Sequence, residues 1–282
     1  MGTGTPSAGQ GSGRAESGPL LIALDIDGTL IDWDEHLSDR VRSAVHAARA
    51  AGHHIVIATG RSLHGTLPIL DRLDLTHGWA VCSNGSVTLR LDPELAAGYE
   101  IADVVTFDPG PALKLLREHL PTALYLVEGP DVDGTRLVTA PFPDGELTGP
   151  VRVVPFDELV AGPTTRVVVR SVDHSPQDFM DVVRDSGLHG VNYAVGWTAW
   201  LDLAPDGVSK ASALEVVRGR LGVPPAATVA IGDGRNDLEM FAWAAHSVAM
   251  GQATDDVRAA ASEVTASVED DGVAVILESL PA

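Results

Sequence analysis

Leu20-Leu21-Ile22-Ala23-Leu24-Asp25-Ile26-Asp27-Gly28-Thr29-Leu30 is the stretch that decides the fold of this chain. Its first five residues are apolar and predict a strand buried on both faces, as in a parallel sheet. Two carboxylates follow at the carboxyl end of the strand, which is where ligands bind in open α/β sheets. An ordinary turn rich in aspartate would account for the same residues. The rest of the chain decides between these readings.

The spacing of the two carboxylates predicts a cation site. Asp25 and Asp27 are two residues apart, so in a regular strand their side chains would point the same way. Two anions that converge on a small space repel each other unless a cation or a shared proton compensates them. Mg²⁺ takes oxygen ligands and often binds one or two carboxylates together with a substrate phosphate. We therefore expect Mg²⁺ at this position.

A second strand follows the same pattern. A helix capped by Ser38 and closed by Gly52 is followed by an apolar strand at 55–58, which ends in Thr59-Gly60-Arg61. This alternation predicts a doubly wound parallel sheet, and a right-handed crossover brings Thr59 to the same sheet edge as Asp25. The Thr59 hydroxyl and the N–H groups of the next turn, at Gly60, can bind a phosphate oxygen.

Polar residues also follow two further strands. The strand at 79–82 ends in Ser83-Asn84-Gly85, where Asn84 is either a substrate contact or half of a common turn. The strand at 228–231 ends in Gly232-Asp233-Gly234-Arg235-Asn236-Asp237, whose carboxylates can complete the metal site. As an alternative, Asn236 and Asp237 cap the next helix and Asp233 forms a turn.

Lys210 has an unusual place in the sequence. Ser209 is predicted to cap a helix, which puts Lys210 in the first turn. There the helix dipole disfavours a cation by roughly 0.3–1 kcal/mol. We therefore expect an anion beside Lys210, although a surface lysine that reaches water would tolerate the same position.

The predicted fold class is α/β with an insert. Residues 1–18 are rich in Gly, Ser and Thr and predict a disordered tail. Residues 19–86 and 201–282 are assigned to the doubly wound core. Between them, residues 87–200 show short alternating strands and two helical segments, at 111–120 and 175–186, which predict an α+β domain with helices on one face of a sheet.

Four motifs in this order resemble those of the haloacid dehalogenase (HAD) superfamily of phosphatases. They are Asp25-x-Asp27-Gly-Thr-Leu, Ala-Thr59-Gly-Arg, Gly-Val-Ser-Lys210 and Gly-Asp233-x-x-Asn236-Asp237. Ser83-Asn84-Gly85 and the insert resemble the Cof-type branch, class IIB, whose C2-type cap covers the active site. The resemblance implies a Rossmann-like core and a phosphoric monoester hydrolase.

The resemblance also implies roles for individual residues. Asp25 becomes an aspartyl-phosphate and Asp27 protonates the leaving group. Mg²⁺ is held by Asp25, by the backbone carbonyl of Asp27 and by Asp233, while Asp237 supports the metal and Lys210. The substrate residues expected on this basis are Thr59, Gly60, Asn84, Lys210 and Asn236. Arg61 is either a further substrate contact or part of a surface ion pair.

The expected substrate is a small phosphorylated metabolite, above all a sugar phosphate. Three alternatives remain open: a phosphomutase of the same superfamily, a receiver-like signalling module and a non-catalytic sugar-phosphate-binding protein. Residues 32–35 (Asp-Trp-Asp-Glu) follow the first motif. If they line the entrance, substrates with several anionic groups, such as bisphosphates, would be disfavoured.

The composition limits the partners and the compartment. The net charge is −20, with 39 acidic and 19 basic residues, which argues against binding nucleic acid or an anionic membrane. The single cysteine, Cys82, excludes an intrachain disulfide and suits a reducing cytoplasm. No apolar stretch has the length of a membrane span or the pattern of a signal peptide. The protein is expected to be a cytoplasmic monomer or homodimer.

Overall fold

The structure is a computed structural model that describes residues 18–131, 134–195 and 198–281. The tail predicted at 1–18 lies outside the described residues except for Gly18. Within the described ranges, no helix has the length and apolar character needed to cross a bilayer.

The described part of the chain alternates between strands and helices. The strands are β1 (Leu21–Leu24), β2 (His54–Ala58), β3 (Gly78–Cys82), β4 (Val87–Leu91), β5 (Tyr99–Val104), β6 (Leu124–Glu128), β7 (Arg136–Val138), β8 (Val151–Val153), β9 (Arg166–Arg170), β10 (Val191–Val195), β11 (Trp200–Pro205), β12 (Thr228–Gly232), β13 (His246–Ala249) and β14 (Glu263–Val264). The helices are α1 (Asp39–Ala50), α2 (Leu63–Arg72), α3 (Gly110–His119), α4 (Phe156–Leu159), α5 (Pro176–Asp185), α6 (Lys210–Leu221), α7 (Leu238–Trp243), α8 (Asp255–Ala260) and α9 (Gly272–Ser279).

The first sheet has eight strands in the order β14-β13-β12-β1-β2-β3-β4-β5. The strands from β14 to β3 are parallel, while β4 and β5 are antiparallel to their neighbours. Because β1 lies between β12 and β2, the carboxyl ends of these three strands are adjacent, and the residues after them share one edge. The predicted doubly wound α/β fold is confirmed.

Strand β1 is buried on both faces because its side chains alternate between two apolar layers. Leu21 and Ala23 pack with α6 and α7 residues such as Leu214 and Phe241. Ile22 and Leu24 pack on the opposite face with residues of α1 and α9. All four β1 residues are fully buried, as the unbroken apolar run predicts.

The second sheet has six strands in the order β10-β11-β9-β6-β7-β8. Its pairs are antiparallel except for β7 with β8. Helices α3 and α5 cover one face through residues such as Leu116 and Phe179. The other face carries Leu126, Val138 and Val168. This is the α+β arrangement predicted for the insert, and we call this part the cap.

Sheet membership departs from the predicted boundaries at both ends of the insert. Strands β4 and β5 extend the first sheet, because β4 forms a hairpin with β3, although the sequence assigned residues from 87 onward to the insert. Strand β11 pairs with β9 and β10 in the second sheet, although the sequence assigned residues from 201 onward to the core. Which residues form one domain stays a prediction, since pairing alone does not define it.

Substitution of Gly85 tests how tightly the turn after β3 packs against the segment before α6. Its φ is +104°, and a Cβ there would overlap the carbonyl oxygen of Ser209 just before α6. Gly98 also has a positive φ, +77°, but a Cβ there would meet no atom within 4 Å. We expect Gly98→Ala to lower the free energy of unfolding by about 1–2 kcal/mol through backbone strain alone. Gly85→Ala should lower it by more, and equal losses in urea unfolding would contradict this packing.

Candidate active site

Lys210 is buried between two carboxylates at the carboxyl edge of the first sheet. Ser209 caps α6 through its hydroxyl, which accepts from the Ser212 N–H, so α6 begins at Lys210. The Lys210 side chain is fully buried, and its Nζ lies 2.6 Å from Asp25 Oδ1 and 2.6 Å from Asp237 Oδ1. The structure therefore places anions beside this lysine, as its position in the helix predicts.

Asp237 links Lys210 to the loop after β12. Its Oδ2 accepts hydrogen bonds from the backbone N–H groups of Asp233 (3.0 Å) and Gly234 (2.9 Å). Its Oδ1 accepts from Lys210, so both oxygens already have donors. Asp237 therefore orients the neighbouring groups and has less capacity than Asp25 or Asp233 to bind a further cation.

Asp25, Asp233 and Asp237 form a buried cluster that fits a divalent cation. Each offers a carboxylate oxygen, and these oxygens lie within 4.8 Å of one another. Asp233 Oδ2 is buried without a hydrogen-bond partner among the described residues. Gly28 lets Asp233 approach this closely, since a Cβ at Gly28 would overlap Asp233 Oδ2. One ammonium faces three carboxylates, and hard oxygen donors are the ligands that Mg²⁺ prefers.

Burial, and then the charges of this cluster, shift the pKa values of its members. Burial raises the pKa of Asp25 to about 7; Lys210 lowers it, but Asp237 adds to the rise. Burial, followed by the nearby Asp25, raises the pKa of Asp233 to about 8. Burial opposes the charge of Lys210, but Asp237 and Asp25 outweigh it and raise the lysine's pKa. Lys210 is thus the one positive charge facing three carboxylates among the described residues of this cluster, and a bound divalent cation would compensate the remainder.

Asp27 lies apart from this cluster. β1 ends at Leu24, and the Gly28 N–H donates to the Ile31 carbonyl (2.9 Å) in a turn, so the side chains of Asp25 and Asp27 do not follow strand geometry. Arg61 holds Asp27 through Nε (2.9 Å to Oδ2) and Nη2 (2.6 Å to Oδ1), and Nη2 also lies 3.0 Å from Glu35 Oε1. The structure thus contains an ion pair of Arg61, and its predicted role as a substrate contact stays a prediction.

Four further candidates lie on the adjacent loops. Thr59 is fully buried, and its Oγ1 accepts from the Arg61 N–H (3.0 Å). Asn84 Oδ1 accepts from Asn236 Nδ2 at 3.2 Å. A Cβ at Gly60 would lie 3.2 Å from the Asn84 amide, so Gly60 and Asn84 are in close contact. The structure thus brings together the loops that follow β2, β3 and β12.

A cavity of about 390 Å³ lies between this edge and the cap. On the core side it is lined by Asp25, Asp27, Gly60, Arg61, Asn84 and Asn236. Trp33 and Glu35 also line it, whereas Asp32 and Asp34 do not, and the predicted effect of this segment on anionic substrates stays a prediction. The cap contributes Arg136, Arg166, Trp200 and Asp202, which the sequence analysis missed. Arginines spread over short strands give no spacing signal; only their burial beside carboxylates distinguishes them.

The fold and the site define a Rossmann-like α/β enzyme with an inserted cap. The family model of the haloacid dehalogenase-like hydrolases matches residues 22–100 and 161–277, so the chain belongs to this family. The predicted superfamily, its Cof-type branch and phosphatase as the enzyme class are confirmed.

Two relatives with phosphatase names are similar to this chain over most of its length, and one solved structure shares its fold. The pyridoxal phosphate phosphatase YbhA of Escherichia coli (strain K12) is 29% identical, over 92% of this chain and 97% of its own. The 5-amino-6-(5-phospho-D-ribitylamino)uracil phosphatase YitU of Bacillus subtilis (strain 168) is 26% identical, over 93% and 98%. The structure of the HAD subclass IIB sugar phosphatase BT4131 is 23% identical, with a TM-score of 0.76 over 92% of this chain and 98% of that one. This last likeness shows the fold.

The raised pKa values predict how Mg²⁺ and pH act together. Without a divalent cation, Asp25 and Asp233 bind protons in the folded state that they release when unfolded, where the pKa is 3.8. Their contribution to stability is therefore lost as the pH rises through about 7–8. A cation replaces these protons, so MgCl₂ should raise Tm more at about pH 8 than at about pH 5.5.

The control for this measurement is NaCl at equal ionic strength, which separates binding at one site from screening of the net charge. Asp233→Asn should lose most of the stabilisation by MgCl₂. An equal rise in Tm with NaCl, or an unchanged response of the variant, would contradict a cation site at this cluster.

Proposed function

We propose that this protein is a Mg²⁺-dependent phosphatase that hydrolyses a small phosphorylated metabolite, a sugar phosphate, through an aspartyl-phosphate on Asp25. One observation carries the proposal. Asp25, at the carboxyl end of β1, is bound at Oδ1 by the buried Lys210, while Asp233 lies beside it with an oxygen that has no hydrogen-bond partner in the described part of the chain. A proposed nucleophile, a cation and a carboxylate proposed to bind the metal thus lie together at the carboxyl edge of the first sheet.

The first half of the proposed reaction transfers the phosphoryl group to Asp25. Its Oδ2 has no hydrogen-bond partner among the described residues and is the oxygen assigned to attack phosphorus in line with the leaving oxygen. Lys210 fixes the other oxygen and is expected to neutralise charge on the transferring group. Mg²⁺, held by Asp25, Asp233 and the Asp27 carbonyl, would supply further neutralisation of that charge. As the bond to the leaving oxygen breaks, Asp27 donates its proton to that oxygen.

The second half returns the enzyme to its starting state. A water attacks phosphorus, Asp27 takes a proton from this water, and Asp25 leaves as a carboxylate with release of phosphate. Arg61 supports this role by fixing the Asp27 carboxylate through two of its nitrogens. Thr59, Gly60, Asn84 and Asn236 are proposed to bind the phosphoryl oxygens, and Asp237 to orient Lys210 and Asp233.

Further proposals concern the setting of the reaction. We propose a cytoplasmic location, supported by a composition with one cysteine. We also propose the division into core and cap at 86/87 and 200/201, to be tested by limited proteolysis. The oligomeric state stays open between monomer and homodimer.

Removal of the nucleophile tests the proposal directly. Asp25→Asn keeps the size of the side chain but lacks the negative oxygen that forms the bond to phosphorus. Phosphate release from phenyl phosphate with Mg²⁺ should fall by about 10⁴-fold or more. Asp34→Asn, an exposed aspartate after the same motif, is the matched control and should retain activity. Substantial residual turnover by Asp25→Asn would contradict the assignment. Formation of an isomeric sugar phosphate instead of free phosphate would indicate a phosphomutase.

A second variant separates the two half-reactions. p-Nitrophenolate leaves without protonation, so Asp27→Asn should still transfer the phosphoryl group to Asp25 but hydrolyse the intermediate slowly. Rapid mixing with p-nitrophenyl phosphate should show a burst of about one nitrophenolate per active site, followed by slow turnover. Steady turnover at the wild-type rate would contradict the proposed role of Asp27 in the second step.

A further inference from the structure

Two buried arginines lie on the cap wall of the cavity, and the proposed chemistry uses neither. Arg166 begins β9 and is 6% exposed, and Arg136 begins β7 and is 5% exposed. Both line the cavity opposite the catalytic edge. Arginine is rarely buried unless it is paired, so the partners of a buried arginine indicate its role.

Arg166 is held rigidly by two carboxylates. Its Nε donates to Asp202 Oδ1 at 2.6 Å, and its Nη1 donates to Glu128 Oε1 at 3.2 Å. Each carboxylate is itself fixed by a second donor. Trp200 Nε1 donates to Asp202 Oδ2 at 2.9 Å, and Ser83 Oγ donates to Glu128 Oε2 at 3.2 Å. The guanidinium plane is thus fixed from two sides.

The network leaves donors unused. Among the described residues, Arg166 Nη2 has no hydrogen-bond partner, and Arg136 Nε is buried without one. Arg136 otherwise donates from Nη2 to the Thr148 carbonyl, and its Nη1 lies 3.8 Å from Glu128 Oε1. A buried donor without a partner costs about 1–3 kcal/mol. Unpaired guanidinium donors in the wall of a binding cavity point to an acceptor that arrives with the substrate.

The charge of the wall decides what kind of acceptor fits. Two guanidiniums, Arg136 and Arg166, balance two carboxylates, Glu128 and Asp202, so the cluster is neutral. A second phosphate or a carboxylate would find no excess positive charge there. A hydroxyl group suits the wall better, because it can accept from Arg166 and donate to Asp202, which also lines the cavity.

The core wall of the cavity, opposite the cap, also favours a neutral group over an anionic one. Asp27 and Glu35 both contact the single guanidinium of Arg61, so these three residues offer no excess positive charge to the ligand. Trp33 and Trp200 add ring surface to the cavity, against which the carbon skeleton of a polyol can pack.

We propose that Arg166 and Asp202 bind the leaving group of the substrate and select a neutral chain that carries several hydroxyl groups. Arg166 donates to one hydroxyl oxygen and Asp202 accepts from a neighbouring hydroxyl. Glu128, Trp200 and Ser83 act as positioning residues, since they fix the two contact residues. This inference rests on the proposed function, because a bound phosphomonoester is what brings a leaving group to this wall.

Substrates matched in length test the proposal with the wild-type enzyme alone. Sorbitol 6-phosphate and n-hexyl phosphate have the same six-carbon chain, with and without hydroxyl groups, and 6-phosphogluconate ends in a carboxylate. We expect kcat/KM for sorbitol 6-phosphate to exceed that for n-hexyl phosphate by about 10- to 100-fold. 6-Phosphogluconate should also be hydrolysed less efficiently than sorbitol 6-phosphate. Equal values for the hydroxylated and the bare chain would overturn the proposal.

Two variants assign the selection to these residues. Arg166→Lys keeps the charge but loses the planar fork, and should lower kcat/KM for sorbitol 6-phosphate by about 10-fold or more while n-hexyl phosphate changes by about twofold or less. Asp202→Asn removes one negative charge beside Arg166. It should therefore raise the ratio of kcat/KM for 6-phosphogluconate to kcat/KM for sorbitol 6-phosphate. Arg152→Gln is the matched control: this cap arginine is also paired with a glutamate (3.4 Å) but is exposed and does not line the cavity.

The outcomes separate this inference from the proposed function. Equal losses on sorbitol 6-phosphate and n-hexyl phosphate in both variants would indicate a purely structural role and overturn the selection. If either variant fails to fold, the wild-type substrate comparison and the other variant still decide. If the wild-type enzyme releases no phosphate even from phenyl phosphate with Mg²⁺, the proposed function fails. Release from phenyl phosphate without selection among the six-carbon chains overturns this inference alone.

Discussion

A buried ammonium between two buried carboxylates is the interaction on which the rest of this site depends. Lys210 joins the first turn of α6 to the end of β1 through Asp25 and to the loop after β12 through Asp237. Removing one partner from such a buried pair typically costs 3–5 kcal/mol, because a charge is left uncompensated. Three elements distant in sequence are therefore held in one geometry. The same interaction leaves Asp233 without a counterion, which is the electrostatic basis for a cation at this point.

The two aspartates of the first motif differ because their surroundings differ. Asp25 is almost fully buried and binds a lysine, whereas the Asp27 side chain is 45% exposed and binds an arginine. A buried carboxylate held by hydrogen bonds suits a fixed nucleophile. A half-exposed carboxylate beside the cavity suits the proton transfers proposed for Asp27. Asp25 and Asp27 can have different surroundings although they are only two residues apart, because the chain leaves β-geometry immediately after Leu24.

The sequence predicts the core of this site better than its surroundings, and the reason is physical. Polar residues at the ends of buried parallel strands meet at one edge whatever the loops do, so the neighbourhood of Asp25, Thr59 and Asp233 follows from strand order alone. The position of Lys210 against the helix dipole likewise favours a nearby anion. The partner of Arg61 could not be predicted in this way, because it depends on a turn whose geometry the strand pattern does not fix.

The cap is harder to predict because its strands are short and its polar residues satisfy one another across the sheet. Glu128, Arg166 and Asp202 come from β6, β9 and β11, and only their pairing brings them together. Strand pairing also crosses the predicted limits of the insert at 86/87 and 200/201, which stay a prediction. Both crossings involve local pairing: β4 is joined to β3 by a tight turn and pairs with it, and β11 follows β10 closely and pairs with it as well as with β9.

The turn after β3 contacts both the cap and the carboxyl edge of the first sheet. Ser83 and Asn84 have positive φ angles of 49° and 51°, which are unfavourable for residues with a side chain. Hydrogen bonds from Ser83 N to the Arg61 carbonyl (2.8 Å) and from Asn84 N to the Thr59 carbonyl (3.0 Å) hold this conformation. Ser83 Oγ then reaches Glu128 of the cap, and Asn84 reaches Asn236 of the core. One strained turn thus sets the distance between the loop that contacts Asp27 and the wall that carries Arg166. The strained conformation of this turn is thus associated with the contact between the cap and the carboxyl edge of the first sheet.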